Sequence, residues 1–330
     1  MAGETAYVME GYVPHGGAYM AYHVARILHR YYHFDVRVIT ASPGLAELDR
    51  HGRFRYDPVF PCVPLAGCEQ LIRADDVLIC NPSFSSLNLG LKVRGRKIMY
   101  AQGFTTFSLL DCFFDHYVAV SGFVRGVLAQ TYGIDAPVIP AFVPDSPRLF
   151  QEVGEWDPVP AWEARPPYSM ALNFKGNLDD QMLLLDSVRR ELRFKDRELE
   201  ASIEWDRAVA EATSGAPREK LLERISSARY LLTLSLAEGF GLVPLEAMAM
   251  GSVVVGFDGY GGREYMTPGC NCAVAASPDV AGVADGIIRV MRDLSYAQRL
   301  VAGGVLTARR YNYEAFRQSW VQELGRLLAN

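Results

Sequence analysis

The nine residues Glu238-Gly239-Phe240-Gly241-Leu242-Val243-Pro244-Leu245-Glu246 decide the fold of the chain around them. They follow residues 230–235, a short apolar run that is typical of a buried parallel strand. The two glycines allow a sharp turn after that strand. Pro244 suits the first turn of a helix and Gly251 suits the position just past its end. The order therefore predicts a strand, a glycine-rich loop and a helix, with Glu246 in the first turn of the helix.

This arrangement suits a phosphorylated ligand, because backbone N–H groups and the positive end of the helix dipole point towards the anion. Glu238 and Glu246 would repel a phosphate directly. We therefore interpret each carboxylate as an acceptor for hydroxyl groups, one on a ribose and one on a transferred sugar. The alternative is that Glu246 only complements the helix dipole and that Glu238 is a solvated loop residue.

The composition limits the class of protein. The chain has 330 residues, of which 50% are hydrophobic and 22% charged, so it is long enough for two folded domains. Its formal net charge of −5 gives no general attraction to nucleic acid. No stretch reaches the ~20 apolar residues of a membrane span, and the start does not resemble a signal peptide, so we expect a cytoplasmic protein. The six cysteines do not form a Cys-x-x-Cys zinc pattern.

Strands, loops and helices alternate in both halves of the chain. We predict strands at residues 5–10, 34–39, 76–80, 97–100 and 116–121, and again at 168–174, 198–205, 230–235 and 252–256. Phe316, Trp320, Leu324 and Leu327 lie on one face of a final amphipathic helix. This order is typical of two doubly wound α/β domains, which bind ligands at the carboxyl ends of their strands.

Residues 235–262 resemble the donor-site signature of family-4 retaining glycosyltransferases of the GT-B fold. The resemblance rests on the E-x7-E spacing of Glu238 and Glu246, on the following Ala247-Met248-Ala249-Met250-Gly251, and on Val253-Val254-Val255-Gly256. It implies two Rossmann-like domains that face each other across a cleft. It also implies transfer of a sugar from a nucleotide-sugar donor to an acceptor hydroxyl with retention of configuration, without a cofactor or a metal ion.

The resemblance implies roles for individual residues on the donor side. Lys175 and Glu238 would be catalytic, with Lys175 stabilising the leaving phosphate and Glu238 orienting the donor sugar. Many relatives also have an arginine close to this lysine, and this sequence does not. The remaining donor-binding residues would be Gly239, Phe240, Gly241, Leu242 and Glu246. The loop at Gly261 and Gly262 would line the donor cleft, with Arg263 as a candidate phosphate contact, although a structural turn explains the glycines equally well.

On the acceptor side, the resemblance points to the loop after the first strand. Gly16 and Gly17 would lie close to the ligand, and His15 would contact the acceptor or a phosphate, although a plain loop histidine explains it equally well. Gln102 stands where many relatives have a histidine and would contact a sugar hydroxyl. Phe84, Phe104 and Phe107 could contact an apolar acceptor or belong partly to the core.

These features predict an acceptor-side Rossmann-like domain at residues 1–145, a linker at 146–167, a nucleotide-sugar-binding domain at 168–310 and a terminal helix at 311–330 that returns to the first domain. We expect a glycosyltransferase that makes a cell-surface polysaccharide, a lipid-linked glycan or a glycosylated natural product. Its partners would be the nucleotide sugar, a glycan, lipid-linked or small-molecule acceptor and a membrane surface, but not nucleic acid. The alternative is a non-catalytic, nucleotide-sugar-binding partner subunit of a glycosyltransferase complex.

Overall fold

Two parallel β-sheets form the framework of the computed structural model, which describes residues 4–9, 16–41, 56–144, 157–206 and 218–329. Contacts within the chain divide it into two compact units. Met1–Phe142 and Glu314–Asn330 form the first unit, and Val143–Tyr313 forms the second. Each unit has a parallel sheet with helices between successive strands, which confirms the predicted fold class of two Rossmann-like domains.

The described strands and helices follow each other in the predicted alternation. The strands are β1 Thr5–Met9, β2 Asp35–Thr40, β3 Cys62–Pro64, β4 Val77–Cys80, β5 Arg96–Ala101, β6 His116–Ala119, β7 Ser169–Asn173, β8 Glu204–Asp206, β9 Tyr230–Thr233, β10 Val253–Phe257 and β11 Ala273–Ala275. The α-helices are α1 Gly16–Tyr32, α2 Cys68–Leu71, α3 Leu89–Lys92, α4 Gly122–Tyr132, α5 Pro158–Glu163, α6 Leu178–Lys195, α7 Arg197–Ser202, α8 Arg218–Ser227, α9 Leu242–Ala249, α10 Val280–Arg292, α11 Leu294–Arg310 and α12 Tyr313–Leu328. No helix in these described ranges is long and apolar enough to cross a membrane.

Both sheets are doubly wound. The strand order is β3-β2-β1-β4-β5-β6 in the first unit and β11-β10-β9-β7-β8 in the second. The direction in which strands are added reverses once in each sheet, between β1 and β4 and between β7 and β9. Open α/β sheets bind ligands outside the carboxyl ends of the strands at such switch points. The topology therefore identifies one candidate binding edge in each unit.

A glycine sets the close approach of two strands in the second sheet. Gly256 of β10 pairs with Thr233 of β9 and has a φ of 123°. A Cβ atom at this position would lie 1.9 Å from the carbonyl oxygen of Thr233. Only glycine fits this register, and β10 leads directly into the loop that we expected to line the donor cleft.

The described part of the expected linker differs from a structureless connection. Residues 157–167 contain α5, in which Trp162 is fully buried in the core of the second unit. The Trp162 indole N–H donates to the carbonyl of Arg229 at 2.9 Å, and the Arg229 guanidinium lies 4.7 Å from the indole centroid. Burial of this large side chain makes α5 part of the second unit, which therefore begins before residue 168.

Helix α12 packs within the first unit. Its four predicted apolar residues, Phe316, Trp320, Leu324 and Leu327, are all buried, as the helical spacing indicates. The Trp320 ring lies 5.0 Å from the ring of Tyr100 on β5, and the Tyr32 hydroxyl donates to the carbonyl of Val321 at 2.5 Å. These contacts tie the last helix of the chain to the first sheet.

The predicted strand at residues 198–205 is wrong over most of its length. Residues 197–202 form α7, and only Glu204–Asp206 form a strand. The helix begins because the carboxylate of Asp196 accepts the N–H of Leu199 at 3.0 Å, a capping interaction that outweighs the apolar character of the segment.

We expect Gly256→Ala to destabilise the second unit severely, since its Cβ would clash with backbone that cannot move without breaking the β9–β10 pairing. Gly126→Ala is the matched control, because Gly126 lies in α4 with no atom within 4 Å of the added Cβ. That substitution should stabilise the protein by up to ~1 kcal/mol. Urea unfolding of the two variants tests the expectation, and a Gly256→Ala protein of parental stability would contradict it.

Candidate functional site

Lys175 and Glu238, the two residues that we predict to be catalytic, form an ion pair in the second unit. Lys175 follows β7 and Glu238 follows β9, so both lie at the switch point of the sheet. The Lys175 side chain is 60% exposed, whereas that of Glu238 is only 12% exposed. The ammonium group therefore reaches from solvent to a sheltered carboxylate, at the edge where a ligand is expected.

The turn after β10 holds the backbone of Glu238 on both sides. The N–H of Glu238 donates to the carbonyl of Gly259 at 2.8 Å, and the N–H of Gly261 donates to the carbonyl of Glu238 at 3.0 Å. A Cβ at Gly261 would lie 2.3 Å from the Glu238 carbonyl oxygen. Only glycine fits at residue 261, because any side chain there would clash with the backbone of Glu238. The two hydrogen bonds fix the backbone from which the Glu238 carboxylate extends.

Arg263 belongs to the same turn and already has a carboxylate partner. Its Nε lies 2.6 Å from the Asp258 carboxylate, and its guanidinium lies 4.8 Å from the ring centroid of Tyr260. Tyr260 itself has a positive φ of 64°, an unusual conformation for a residue with a side chain. Any phosphate that binds Arg263 would have to share it with Asp258.

Helix α9 begins immediately after the glycine bend, at Leu242, and Gly241 precedes it with a φ of 88°. The first N–H groups of a helix have no acceptor within the helix, and the dipole places partial positive charge there. Glycine is required before this helix because residues with a Cβ rarely adopt that φ. The predicted order of a strand, a glycine bend and a helix start is present in the second unit.

Three aromatic rings pack against one another at the glycine bend. The rings of Phe240, Tyr265 and Tyr311 lie 5.2 to 5.8 Å apart. The Tyr265 hydroxyl donates to the carbonyl of Gly241 at 2.5 Å, and the Tyr311 hydroxyl donates to the carbonyl of Glu264 at 3.0 Å. Burial raises the pKa of Tyr265 well above its usual value, so its hydroxyl remains a neutral donor.

The predicted location of Glu246 in the first turn of the helix is wrong. Because α9 begins at Leu242 rather than at Pro244, its first turn contains no acidic residue, and Glu246 lies one turn further along. The side chain is only 2% exposed. The dipole of a helix acts mainly on its first turn, so complementing the dipole explains a buried Glu246 poorly. A buried carboxylate requires specific polar contacts.

In the first unit, the structure brings together two of the predicted acceptor-side residues. Gly16 and Gly17 form the start of α1 after β1, and the Gln102 Nε2 donates to the carbonyl of Gly17 at 3.0 Å. The side-chain amide of Gln102 is thus hydrogen-bonded to the first turn of α1. His15 lies outside the described residues.

The sequence analysis did not identify the buried residues that hydrogen-bond to the glycine bend and to each other. We had not assigned a role to Tyr265, nor to Asn271, whose amide donates to the carbonyl of Tyr265 at 2.7 Å and to the Thr307 hydroxyl at 2.9 Å. Asn271 is 5% exposed. A buried amide in an otherwise apolar neighbourhood requires hydrogen-bond partners, but the sequence does not show that residue 271 is buried.

Comparison with known proteins finds a family match within the second unit. Residues 207–304 match the family described as Glycosyl transferases group 1, which supports a glycosyltransferase domain there. Over 100 residues, the chain is 34% identical to the D-inositol 3-phosphate glycosyltransferase of Frankia alni, covering 30% of this chain and 25% of that protein. Over 100 residues it is 31% identical to the poly(glycerol-phosphate) alpha-glucosyltransferase of Bacillus subtilis, covering 29% of this chain and 15% of that protein. The chain thus matches a quarter or less of the length of these curated relatives.

A solved structure extends the likeness of fold to both units. Anabaena HepE, determined in complex with UDP and glucose, is similar to this chain with a TM-score of 0.68 and 13% identity, over 98% of this chain and 100% of that one. The two Rossmann-like units therefore have the GT-B fold of glycosyltransferases. At this level of identity the comparison concerns the fold alone.

We expect the Tyr265 hydroxyl to hold the glycine bend in place. In Tyr265→Phe, the Gly241 carbonyl loses its donor, and the amides at the start of α9 should exchange their hydrogens several-fold faster. Tyr311→Phe is the matched control, because it removes a hydroxyl from the same aromatic cluster that bonds elsewhere. Hydrogen exchange followed by mass spectrometry tests this expectation. Equal protection of the bend in the two variants would show that Tyr265 has no special part in ordering it.

Proposed function

We propose that the chain is a retaining glycosyltransferase of family 4, which transfers a sugar from a nucleotide-sugar donor to an acceptor hydroxyl. The observation that carries the proposal is the Lys175–Glu238 ion pair at the β7–β9 switch point, beside the glycine bend and the start of α9. A cation, a sheltered carboxylate and helix-terminal amides are the groups needed around a sugar diphosphate. The group 1 domain match supports this class of reaction.

In the proposed reaction, the donor diphosphate binds at the bend through the amides of Gly239, Phe240, Gly241 and Leu242. Negative charge grows on the phosphate as its bond to the sugar breaks, and Lys175 stabilises that charge. Glu238 then accepts hydrogen bonds from hydroxyls of the sugar and fixes its orientation. The departing phosphate helps to remove the proton of the attacking acceptor hydroxyl, so no separate general base is required.

The Lys175–Glu238 ion pair has a direct consequence for this mechanism. Lys175 cannot keep its full interaction with Glu238 and also bind the incoming phosphate, so donor binding would redistribute its hydrogen bonds. The pair is exposed on the lysine side and therefore contributes little to stability in itself. Separation of the two side chains therefore costs little free energy, and the ammonium group can bind the phosphate as negative charge develops on it.

Glu246 is proposed to bind the ribose of the donor. A carboxylate that is 2% exposed and follows the anion-binding turn has the chemistry to accept two hydroxyl hydrogen bonds. The chain needs no cofactor in this proposal, since the nucleotide sugar is a substrate. We also propose that a metal ion is not required, because Lys175 and the helix start supply the positive charge.

The first unit is proposed to bind the acceptor, with Gly16 and Gly17 at its switch point and His15 and Gln102 as contacts. The donor-side domain would correspond to the second unit, which starts before the predicted boundary at residue 168, and the acceptor-side domain to the first unit. Among the relatives, one is named for an inositol phosphate and one for poly(glycerol-phosphate). A glycan, a lipid-linked glycan or a small molecule as acceptor, in the cytoplasm and at a membrane surface, is the corresponding proposal for this chain.

A second candidate function is a non-catalytic partner subunit that binds nucleotide sugars. One observation favours it. Lys175 and Arg263, the two cations that we consider for contact with the donor phosphates, are each ion-paired with a carboxylate of their own unit. Such a subunit would bind a nucleotide without transferring its sugar.

We expect Lys175→Met to lower the transfer rate by about 10²–10³, the usual loss on removal of a group that stabilises a developing oxyanion. Lys195→Met is the matched control, since Lys195 is an ion-paired lysine of the same unit at the far end of α6. Release of nucleoside diphosphate from UDP-, GDP-, ADP- and TDP-sugars measures the rate. Equal rates for the two variants would remove Lys175 from the reaction, and nucleotide binding without turnover by the parent would favour the partner subunit.

We expect Glu246→Gln to weaken binding of the preferred nucleoside diphosphate at least tenfold, because a neutral amide accepts hydroxyl hydrogen bonds less strongly than a carboxylate. Glu223→Gln, at an exposed position of α8, is the control for loss of a negative charge. Titration calorimetry with UDP, GDP, ADP and TDP gives both the affinity and the base preference. The ribose assignment would be wrong if the Glu246→Gln protein bound the nucleotide like the parent.

A further inference from the structure

A strained turn follows β10, beside the backbone of Glu238. Tyr260 has a φ of 64° and a ψ of −58°, and the N–H of Gly261 donates to the carbonyl of Gly259 at 2.8 Å. These three residues form a γ-turn of the positive-φ kind, which is rare and strained. Glycine would adopt this φ without strain, yet the chain has glycine on both sides of residue 260 and tyrosine at the centre. The tyrosine side chain therefore needs an explanation.

The Tyr260 ring and the Asp258 carboxylate hold the side chain of Arg263 between them. The carboxylate accepts the N–H of Tyr260 at 3.1 Å and the Nε–H of Arg263 at 2.6 Å. The N–H of Arg263 donates to the carbonyl of Tyr260 at 3.2 Å, and its guanidinium carbon lies 4.8 Å from the centroid of the Tyr260 ring. A guanidinium at this distance is attracted by the face of an aromatic ring. The turn thus orients both the backbone and the side chain of Arg263.

Arg263 contacts Asp258 through its Nε atom. Neither of its terminal amino groups has a hydrogen-bond partner in the part of the chain that the structure describes. Arg292 of α10 is different, because its Nε and one Nη both donate to the Asp196 carboxylate at 2.9 Å. The two arginine side chains are almost equally exposed, at 48% and 49%. Arg263 therefore keeps the fork of two amino groups that binds phosphate oxygens in pairs.

The strained turn adjoins the proposed donor site. Tyr260 forms a parallel bridge with Glu238, whose carboxylate is paired with Lys175. Residues 258–264 contain two carboxylates, at residues 258 and 264, against one guanidinium. The total charge of this segment therefore does not attract an anion. The direction in which Arg263 presents its amino groups decides whether the turn can bind a phosphate.

We propose that Tyr260 is a positioning residue, which holds the guanidinium of Arg263 for the donor diphosphate. Arg263 then supplies a second positive charge, in place of the arginine that the family resemblance leads us to expect near Lys175. Without the ring, the guanidinium could turn and donate to Asp258 through two nitrogens, as the arginine of α10 does to its own partner. Its amino groups would then be lost to the phosphate. This role of Tyr260 rests on the proposed function.

Three substitutions at residue 260 separate the strain from the ring. Tyr260→Phe keeps the ring, Tyr260→Ala keeps the Cβ atom alone, and Tyr260→Gly removes both. Glycine usually makes a protein less stable than alanine does, but here we expect the reverse, because only glycine adopts this φ without strain. Thermal unfolding should show the glycine variant melting at least about 2 °C above the alanine variant. The opposite order would overturn the inference, since no strain would then be retained for the sake of the side chain.

Titration calorimetry with UDP, GDP, ADP and TDP tests the role of the side chain. Tyr260→Phe should bind the preferred diphosphate like the parent, whereas Tyr260→Ala and Arg263→Gln should each weaken binding about tenfold. The double variant should bind no more weakly than Arg263→Gln alone, because Tyr260 acts through Arg263. Losses that multiply in the double variant would overturn this positioning role.

Arg292→Gln is the matched control, because it removes an equally exposed, ion-paired arginine of the same unit. This variant should bind the diphosphate like the parent, and an equal loss of affinity would overturn the inference. Parental affinity of both Tyr260→Ala and Arg263→Gln would overturn the role of Tyr260 alone and leave the proposed donor site intact. If the parent bound none of the four nucleotides, the proposed function itself would fail, whatever the order of stability at residue 260.

Discussion

The backbone of Glu238 is hydrogen-bonded on both sides to the turn that follows the next strand of its sheet, at Gly259 and Gly261. This clamp requires two chain segments to approach more closely than any side chain would allow, which is why glycine occurs at residue 261. It connects the ends of β9 and β10, and it fixes the starting point of the bend that leads into α9. The positions of the glutamate, the helix start and the supporting tyrosine all follow from it.

The charges at this edge of the second sheet depend on the same backbone hydrogen bonds. The Glu238 side chain is only 12% exposed, and its backbone is hydrogen-bonded to the turn after β10. Lys175 follows the neighbouring strand, and its exposed side chain forms the ion pair with that carboxylate. A chain with a net charge of −5 can attract an anionic ligand only through local positive charge. We propose that this charge comes from the exposed ammonium group of Lys175 and from the amides at the start of α9. In that proposal the amides need no reorganisation, and the lysine side chain can turn towards the charge as it develops.

The first unit applies a similar principle with different chemistry. The half-buried Gln102 amide donates to the carbonyl of Gly17 in the first turn of α1, and the buried Asp111 carboxylate accepts the N–H of Gly90. At residue 90 a Cβ would lie 2.5 Å from that carboxylate, so only glycine fits there. Such contacts order loops that have no regular structure of their own.

The sequence by itself determined the alternation of strands and helices, the glycine bend between β9 and α9, and the buried face of α12, because each depends on local patterns of apolar residues, glycine and proline. It also indicated Lys175 and Glu238 as residues at strand ends. Only the tertiary structure decided that these two side chains meet, since their strands are distant in sequence and become neighbours through the winding of the sheet. The helix at residues 197–202 depends on a local cap, in which the Asp196 carboxylate accepts the N–H of Leu199, and the prediction of a strand overlooked that signal. The burial of Trp162, in contrast, was decided by packing in the core of the second unit, because its partners come within reach only in the folded chain.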